Sequence, residues 1–524
     1  MIFFFSNLLK FLILILLGIC LSSHGQNLVT YTEPIQNFKY HSTLYKVVLR
    51  QRGIIKNSYV YVSKTPIGVT SWEWAKQENK TFNYTTFSFR GKVSVEVIKI
   101  NSKSASAILR PSVNGDKAIA CTKQGEDRII KFTIKEPGKF SVEFDDDPNN
   151  KDALMIFADA IESTAIVPDS NLHKIFYVDT SLYEKPIKVE ENARIIYFKP
   201  GIYNIGLFYV PAYVNQIYIS GGAFVRGYIY AKRTNNQLPL KINGRGILSN
   251  DVWPFRFPII SDKYSPNWYY SFSKDWYKSI RIEGGKKHLI EGITLVDGTS
   301  FNIIVHADSS IITNVKIHGF RYNNDGITIS GANHLIDECF FHLSDDAISL
   351  GEMKSISIKN CIFWQLSGSC IQFGWYPHSM NGQNIIENCH IIHAEWKNKA
   401  EQNAGFINAI NFSNPSPNSM VENFLIQNIF FDTEVIRIID IRMNRPNSKQ
   451  PNQFKNFYFK NIRALISPEI NNPAIYLNGY DSQHMISNFH FEDFYINNVL
   501  INTNNYSEKG YFKIDDYTEK IQFK

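Results

Sequence analysis

Three of the four aspartates in residues 322–351, YNNDGITISGANHLIDECFFHLSDDAISLG, stand ahead of short apolar strands: Asp325, Asp345 and Asp346. DGITISG (325–331) can be laid over DAISLG (346–351), with apolar residues at alternate positions and a glycine closing each copy. If each copy is one strand of a parallel stack, neighbours lie about 4.8 Å apart. Asp325 then stands beside Asp346, and Asp345 shares their surface. Carboxylates held that close repel, and their pKa values split. One acid keeps its proton beside an ionised neighbour, as paired acid and base catalysis requires. A lone Asp before Gly or Ala is ordinary turn chemistry; three on one surface are not.

The elements that hold them are repeats. An apolar-x-apolar-x pattern followed by a turn residue recurs from residue 198 onward, as in IYISGGAF, HLIEGITL, SIITNVKI, HLIDECFF, SISIKNCIF and NFYFKNIRA. The turn position falls at Gly221, Gly244, Gly292, Asn314, Glu338, Asn360, Asn388, Asn428, Asn461 and Asp493. Coils near 22 residues with a period of two describe a solenoid of parallel strands, in which stacking buries what one coil cannot. Recurrent Asn at one turn suits a left-handed backbone and a side-chain ladder. A leucine-rich repeat is the rival solenoid, and the missing LxxLxLxxN consensus and helices count against it. The interval from Gly244 to Gly292 is long enough for an extra coil or an excursion. Cys339, Cys361 and Cys389 occupy equivalent places and are expected as buried small side chains rather than metal ligands.

Ahead of the repeats, KVSVEVIKI, SASAILRPSV, RIIKFTIKE and KFSVEF alternate between turn clusters and predict a β-sandwich. The expected architecture is all-β: an N-terminal sandwich over 26–185, then a right-handed parallel β-helix over 186–524. Residues 1–25 read as a secretory signal, with Lys10 before an apolar run and small residues after it. That places the mature protein outside the cytoplasm, secreted or periplasmic, and no later segment is apolar enough to span a membrane. A net charge of +7 over 524 residues, without a basic block, argues against nucleic acid.

NNDG at 323–326 followed by the Asp345–Asp346 pair resembles the motifs of β-helical inverting glycosidases. These are the polygalacturonases (glycoside hydrolase family 28) and the dextranase and isopullulanase family (family 49). A sandwich before the helix, with FSVEF, LMIFADAIE, FKPGIYNIG and ISGGAFVRG, is similar to the dextranase group over roughly residues 90–500. The resemblance implies inverting hydrolysis of a polysaccharide. Asp345 would be general acid, with Asp325 and Asp346 as candidate bases and no metal or cofactor. A base needs room for water opposite the acid. Polygalacturonases carry Gly-His-Gly one coil on, then an Arg-Ile-Lys motif for the uronate. Here those places hold Gly368-Ser369-Cys370 and NAINFSN. A site without those cations fits a neutral α-glucan such as dextran, although Arg437, Arg442 and Arg445 of a later coil are near enough to matter.

Sugar rings stack on aromatic faces. Trp268 and Trp276, in the aromatic stretch 264–277, and Trp375 and Tyr376, after Gly374, are the expected substrate contacts, with Lys354 as a hydroxyl partner. His342, three residues before Asp345, is a candidate support for the acid. The protein is expected to act as a monomer on a polysaccharide. The alternatives are a polygalacturonase-like hydrolase of plant or algal polysaccharide and a non-catalytic β-helical carbohydrate binder. A lyase fits poorly, since it needs a basic side chain and often calcium.

Overall fold

In the computed structural model, the residues described are 27–524 except 36–37, 65–80, 113–117, 170, 172–173, 180–186, 252–277, 321–322, 375–378, 397–402, 410–418, 444–452, 468–472 and 508–509. The expected secretory signal, residues 1–25, therefore lies outside the described residues. The described secondary structure is strand throughout, in three sheets.

Two of those sheets make the sandwich. One is ordered Leu28–Thr30, Thr81–Phe89, Leu154–Ala160, Gly138–Phe144, Ser106–Arg110 and Ile119–Ala120, with Val60–Lys64 also on Thr81–Phe89. The other is ordered Ile54–Ser58, Tyr45–Gln51, Val93–Lys99, Asp127–Ile134 and Thr122–Gln124. Alternation sets the core: Val93, Val95 and Val97 turn inward to meet Leu49, Phe87, Ile130, Val142 and Ile156. Pairing is antiparallel except between Thr81–Phe89 and Leu154–Ala160, which run parallel. Both of these strands are buried on both faces, which is why LMIFADA reads as a nearly continuous apolar run. Their second face carries Phe82, Tyr84, Met155 and Phe157, which pack on Phe224, Ile247, Val296, Phe320, Phe340, Trp364 and Ile392 of the third sheet.

That third sheet is the right-handed parallel β-helix, 29 strands from Ile175–Tyr177 to Thr518–Phe523. Its first strand lies ahead of the residue-186 boundary drawn from the sequence. The interior is one continuous aliphatic and aromatic core. Nine of the ten predicted turn positions, from Gly244 to Asp493, have positive φ; at the first it is Gly222 rather than Gly221. The ladder is present: Asn428 Nδ2 donates to Asn388 Oδ1 at 2.9 Å, and Asn461 Nδ2 to Asn428 Oδ1 at 2.8 Å. The long interval holds no extra coil, because Lys241–Gly244 pairs directly with Leu289–Glu291. Cys339, Cys361 and Cys389 are buried and unoxidised, each with Sγ against the carbonyl two residues earlier.

Candidate active site

The register brings the aspartates together as the overlay of their strands requires. Ile327 pairs with Ile348 and Ile348 with Ile371, so Asp325, Asp346 and Ser369 occupy matching places in three successive coils. Backbone bonds lock those turns. Asn302 donates from N and Nδ2 to Asp325 O at 2.8 and 2.9 Å. Gly326 N donates to Asp346 O, and Ala347 N to Ser369 O, each at 2.9 Å.

All three carboxylates are buried: Asp325 is 3 % exposed, Asp345 7 % and Asp346 0 %. Asp346 Oδ1 accepts from Ser369 N at 2.8 Å and Ser369 Oγ at 2.7 Å, donors that suit an ionised carboxylate. Asp345 Oδ1 accepts from Asp346 N at 3.0 Å and Asn403 Nδ2 at 3.4 Å. Asp325 Oδ2 faces Ser349 Oγ at 3.4 Å, and its Oδ1 has no hydrogen-bond partner among the described residues. Burial pushes the Asp325 carboxyl well above the usual range, and the charges of Asp345 and Asp346 push it further. A proton on such a cluster belongs to the group rather than to one member.

Several residues outside the trio hold its shape. Asn324, wholly buried, donates from Nδ2 to Gly298 O at 3.0 Å and Ser300 O at 2.7 Å. Gln365 Nε2 bridges the carbonyls of Asp345 (2.9 Å), Ser367 (3.1 Å) and Ser369 (2.9 Å). Trp396 Nε1 donates to Gly368 O at 2.7 Å. The sequence offered only weak signals for these, the Asn preceding Asp325 and the small residues of SGSC (367–370). Gly368 has φ +70°, and a Cβ there would stand 2.4 Å from Asp345 C and 2.6 Å from Asp346 N. Gly368→Ala is therefore expected to displace the Asp345–Asp346 turn and to lower stability by about 1–3 kcal/mol. Urea unfolding of the variant, with activity assayed alongside, checks this.

The other candidates scatter. His342 does not turn to the carboxylates. The inward side chains of its strand, Phe341 and Leu343, join the helix core, while His342 packs against Phe82 of the sandwich and His318. Lys354 is exposed, on the strand Ile348–Lys359, in register with Ala332 and Asn381. Trp268, Trp276, Trp375 and Tyr376 lie outside the described residues, as does Arg445. Arg437 and Arg442 both bond to the wholly buried Asp440, Arg442 through Nε and Nη2 at 2.6 Å each, and both guanidinium groups lie over the Tyr476 ring. A polar groove of about 550 Å³ runs beside Arg233, His306, Asp308, Ser330 and Gly331, sharing the strand Ile327–Asp337 with the Asp325 turn.

No family model matches the chain. A dextranase from Arthrobacter globiformis is 23 % identical over 476 residues, covering 77 % of this chain and 72 % of its own. A dextranase from Arthrobacter sp. strain CB-8 is 22 % identical with the same coverage. Among solved structures, Dex49A from Penicillium minioluteum superposes with a TM-score of 0.71 at 18 % identity, over 95 % of this chain and 99 % of its own. The resemblance to the dextranases drawn from the aspartate motifs is met by these comparisons, and the shared fold is the sandwich joined to the right-handed β-helix.

Proposed function

We propose that the protein is a glycoside hydrolase that cleaves α-glycosidic bonds of a neutral glucan, dextran foremost, with inversion at the anomeric carbon. The buried trio Asp325, Asp345 and Asp346 on adjacent coils carries this reading, and the likeness to dextranases supports it. Asp345 has the greatest exposure of the three and is assigned as the acid that protonates the leaving oxygen. Asp325 and Asp346 are the candidate bases that draw a proton from the attacking water. Each transfer is balanced: the glycosidic C–O bond breaks as the leaving oxygen gains the acid's proton. Water oxygen then bonds to the anomeric carbon from the opposite face and gives its proton to the base.

The placement of two cations supports a neutral substrate. Arg437 and Arg442 share the buried Asp440, which cancels one of their two positive charges and commits both guanidinium groups to an internal partner. The groove along His306 and Ser330, on the strand that leads out of the Asp325 turn, supplies hydrogen-bonding groups. Lys354 and the four aromatic residues named from the sequence remain proposed sugar contacts. We assign residues 1–25 as a leader, the strands up to Ala160 as the sandwich and the strands from Ile175 onward as the catalytic helix, in a secreted monomer.

The test is reducing-end release from dextran, pullulan, polygalacturonate and a sulfated algal galactan, with proton NMR of the first product. Release from dextran with the β-anomer appearing first is expected. Release from polygalacturonate alone would overturn the neutral-glucan reading, and an α-anomer would overturn inversion.

A further inference from the structure

The face of the helix beneath the sandwich carries a column of rings. His318, His342, Trp364 and His393 are successive partners in register on four neighbouring strands. Their centroids step by 4.8, 4.6 and 4.4 Å. The sandwich holds both ends. At one end Phe82 stacks on His318 with 3.6 Å between centroids and 4° between planes, and lies 5.1 Å from His342. At the other, Glu143, itself paired with Arg110, meets His393 Nε2 at 2.8 Å. His318 Nδ1 and His342 Nδ1 lie 2.9 Å apart, and Trp364 Nε1 donates to Glu395 at 2.9 Å.

The first three of these strands lead straight into the site. Lys316–Gly319 runs on to the turn of Asn324 and Asp325, Phe340–Leu343 to Asp345 and Asp346, and Ile362–Gln365 to Gly368 and Ser369. The close contacts sit at those exits: a Cβ on Gly319 would stand 1.1 Å from Asn324 Oδ1, and one on Gly368 would meet the Asp345 backbone. The spacing of the strands therefore sets the spacing of the turns.

We propose that Phe82, His318, His342 and Trp364 are positioning residues: the sandwich, by clamping this ring column, fixes the separation of the three turns that carry the aspartates. The inference rests on the glycosidase reading for its rate consequence but not for its mechanics. The rings act by packing thickness, so an imidazole is replaceable by another flat ring. Catalytic geometry is steep in distance; a displacement of about 1 Å costs on the order of a hundredfold in rate.

The experiment compares His342→Phe, His342→Leu and Phe82→Leu in the full chain. It measures kcat and KM on dextran, the pH dependence of kcat, and hydrogen exchange at the amides of Gly326, Ala347 and Ser369. Both leucine variants are expected to lose about ten- to a hundredfold in kcat with KM little changed. Their pH profile should shift, and exchange at the three turn amides should speed up. His342→Phe keeps the ring but loses the Nδ1 contact with His318, so it should keep the wild-type kcat, pH profile and turn-amide exchange at some cost in overall stability. Normal kcat and pH profile in the leucine variants, with faster exchange confined to the strands under the sandwich, would overturn the proposal. So would a His342→Phe variant as slow as His342→Leu. If wild type cleaves no glucan, the glucan reading fails by itself, and turn-amide exchange still decides whether the column positions the turns. Should Phe82→Leu fail to fold, the two His342 variants carry the same comparison.

Discussion

Asp345→Asn is expected to lower kcat on dextran by about a hundred- to ten-thousandfold, the range for loss of a positioned proton donor. Asp325→Asn is expected to lose activity as well, while gaining stability at pH 7. The sign follows from the direction of its shift. A carboxyl whose folded pKa is raised binds its proton more tightly in the folded than in the unfolded chain. The resulting penalty is absent below the unfolded value near 3.9. It grows as pH rises through that value and is complete above the folded one. An amide carries no such penalty, so the variant should melt higher at pH 7, by an amount on the order of 0.5–2 kcal/mol. That gain should vanish as the buffer approaches pH 4. Thermal melts from pH 4 to 7, beside kcat, check both halves. A variant that is no more stable at pH 7 would show that the trio's charge is already relieved in the folded chain.

The second large effect lies at the junction of the two domains. Lys316 Nζ reaches Asp159 Oδ2 at 2.9 Å, both side chains 1 % exposed, and also Gly292 O at 2.7 Å. Arg245 approaches the same carboxylate at 3.5 Å and holds Glu291 at 2.8 Å. Burial would raise the Asp159 pKa, but the charges of Lys316, Arg245 and Lys139 outweigh it and hold the carboxyl low. Burial also pulls Lys316 down to about 8, with Asp159 working against the fall. Asp159→Asn should therefore cost about 3–5 kcal/mol at pH 7, because a buried ammonium loses its counter-charge beside Arg245. Since the folded pKa of Lys316 is below its unfolded value, its charging penalty is constant under pH 8 and is relieved as pH rises above it. In the variant that relief begins at lower pH. The gap between wild type and variant should narrow from pH 7 to pH 9 in urea unfolding. A gap that widened would mean the amide finds other partners and the lysine is not the cause.

How much of this was legible in the sequence depends on distance along the chain. The repeat could be read because each coil repeats its period of two and its left-handed turn residue, as at Asn360, Asn388 and Asn461. The adjacency of Asp325 and Asp346 followed from that repeat, since register is a local property of neighbouring coils. His342 was misread because alternation tells only that a residue faces away from the core. Whether solvent, substrate or a second domain waits there is set by Phe82, 260 positions earlier in the chain. The Arg437–Asp440–Arg442 pairing was also invisible in composition, where two arginines look available and the carboxylate between them looks solvated. The parallel pairing inside the sandwich left no trace beyond a strand apolar on both faces.

The aromatic outer face of the sandwich has a consequence for how the chain is made. Its partners reach from Phe224 to Ile392, so the face cannot be covered while only the first two hundred residues have left the ribosome. At about 5–20 residues per second of synthesis, Phe82, Tyr84 and Phe157 stay bare for roughly ten seconds or more. The solenoid can add coils as they emerge, each on the one before. The sandwich instead waits for its second half, and during that wait the nascent chain is most open to a chaperone or to a neighbouring copy.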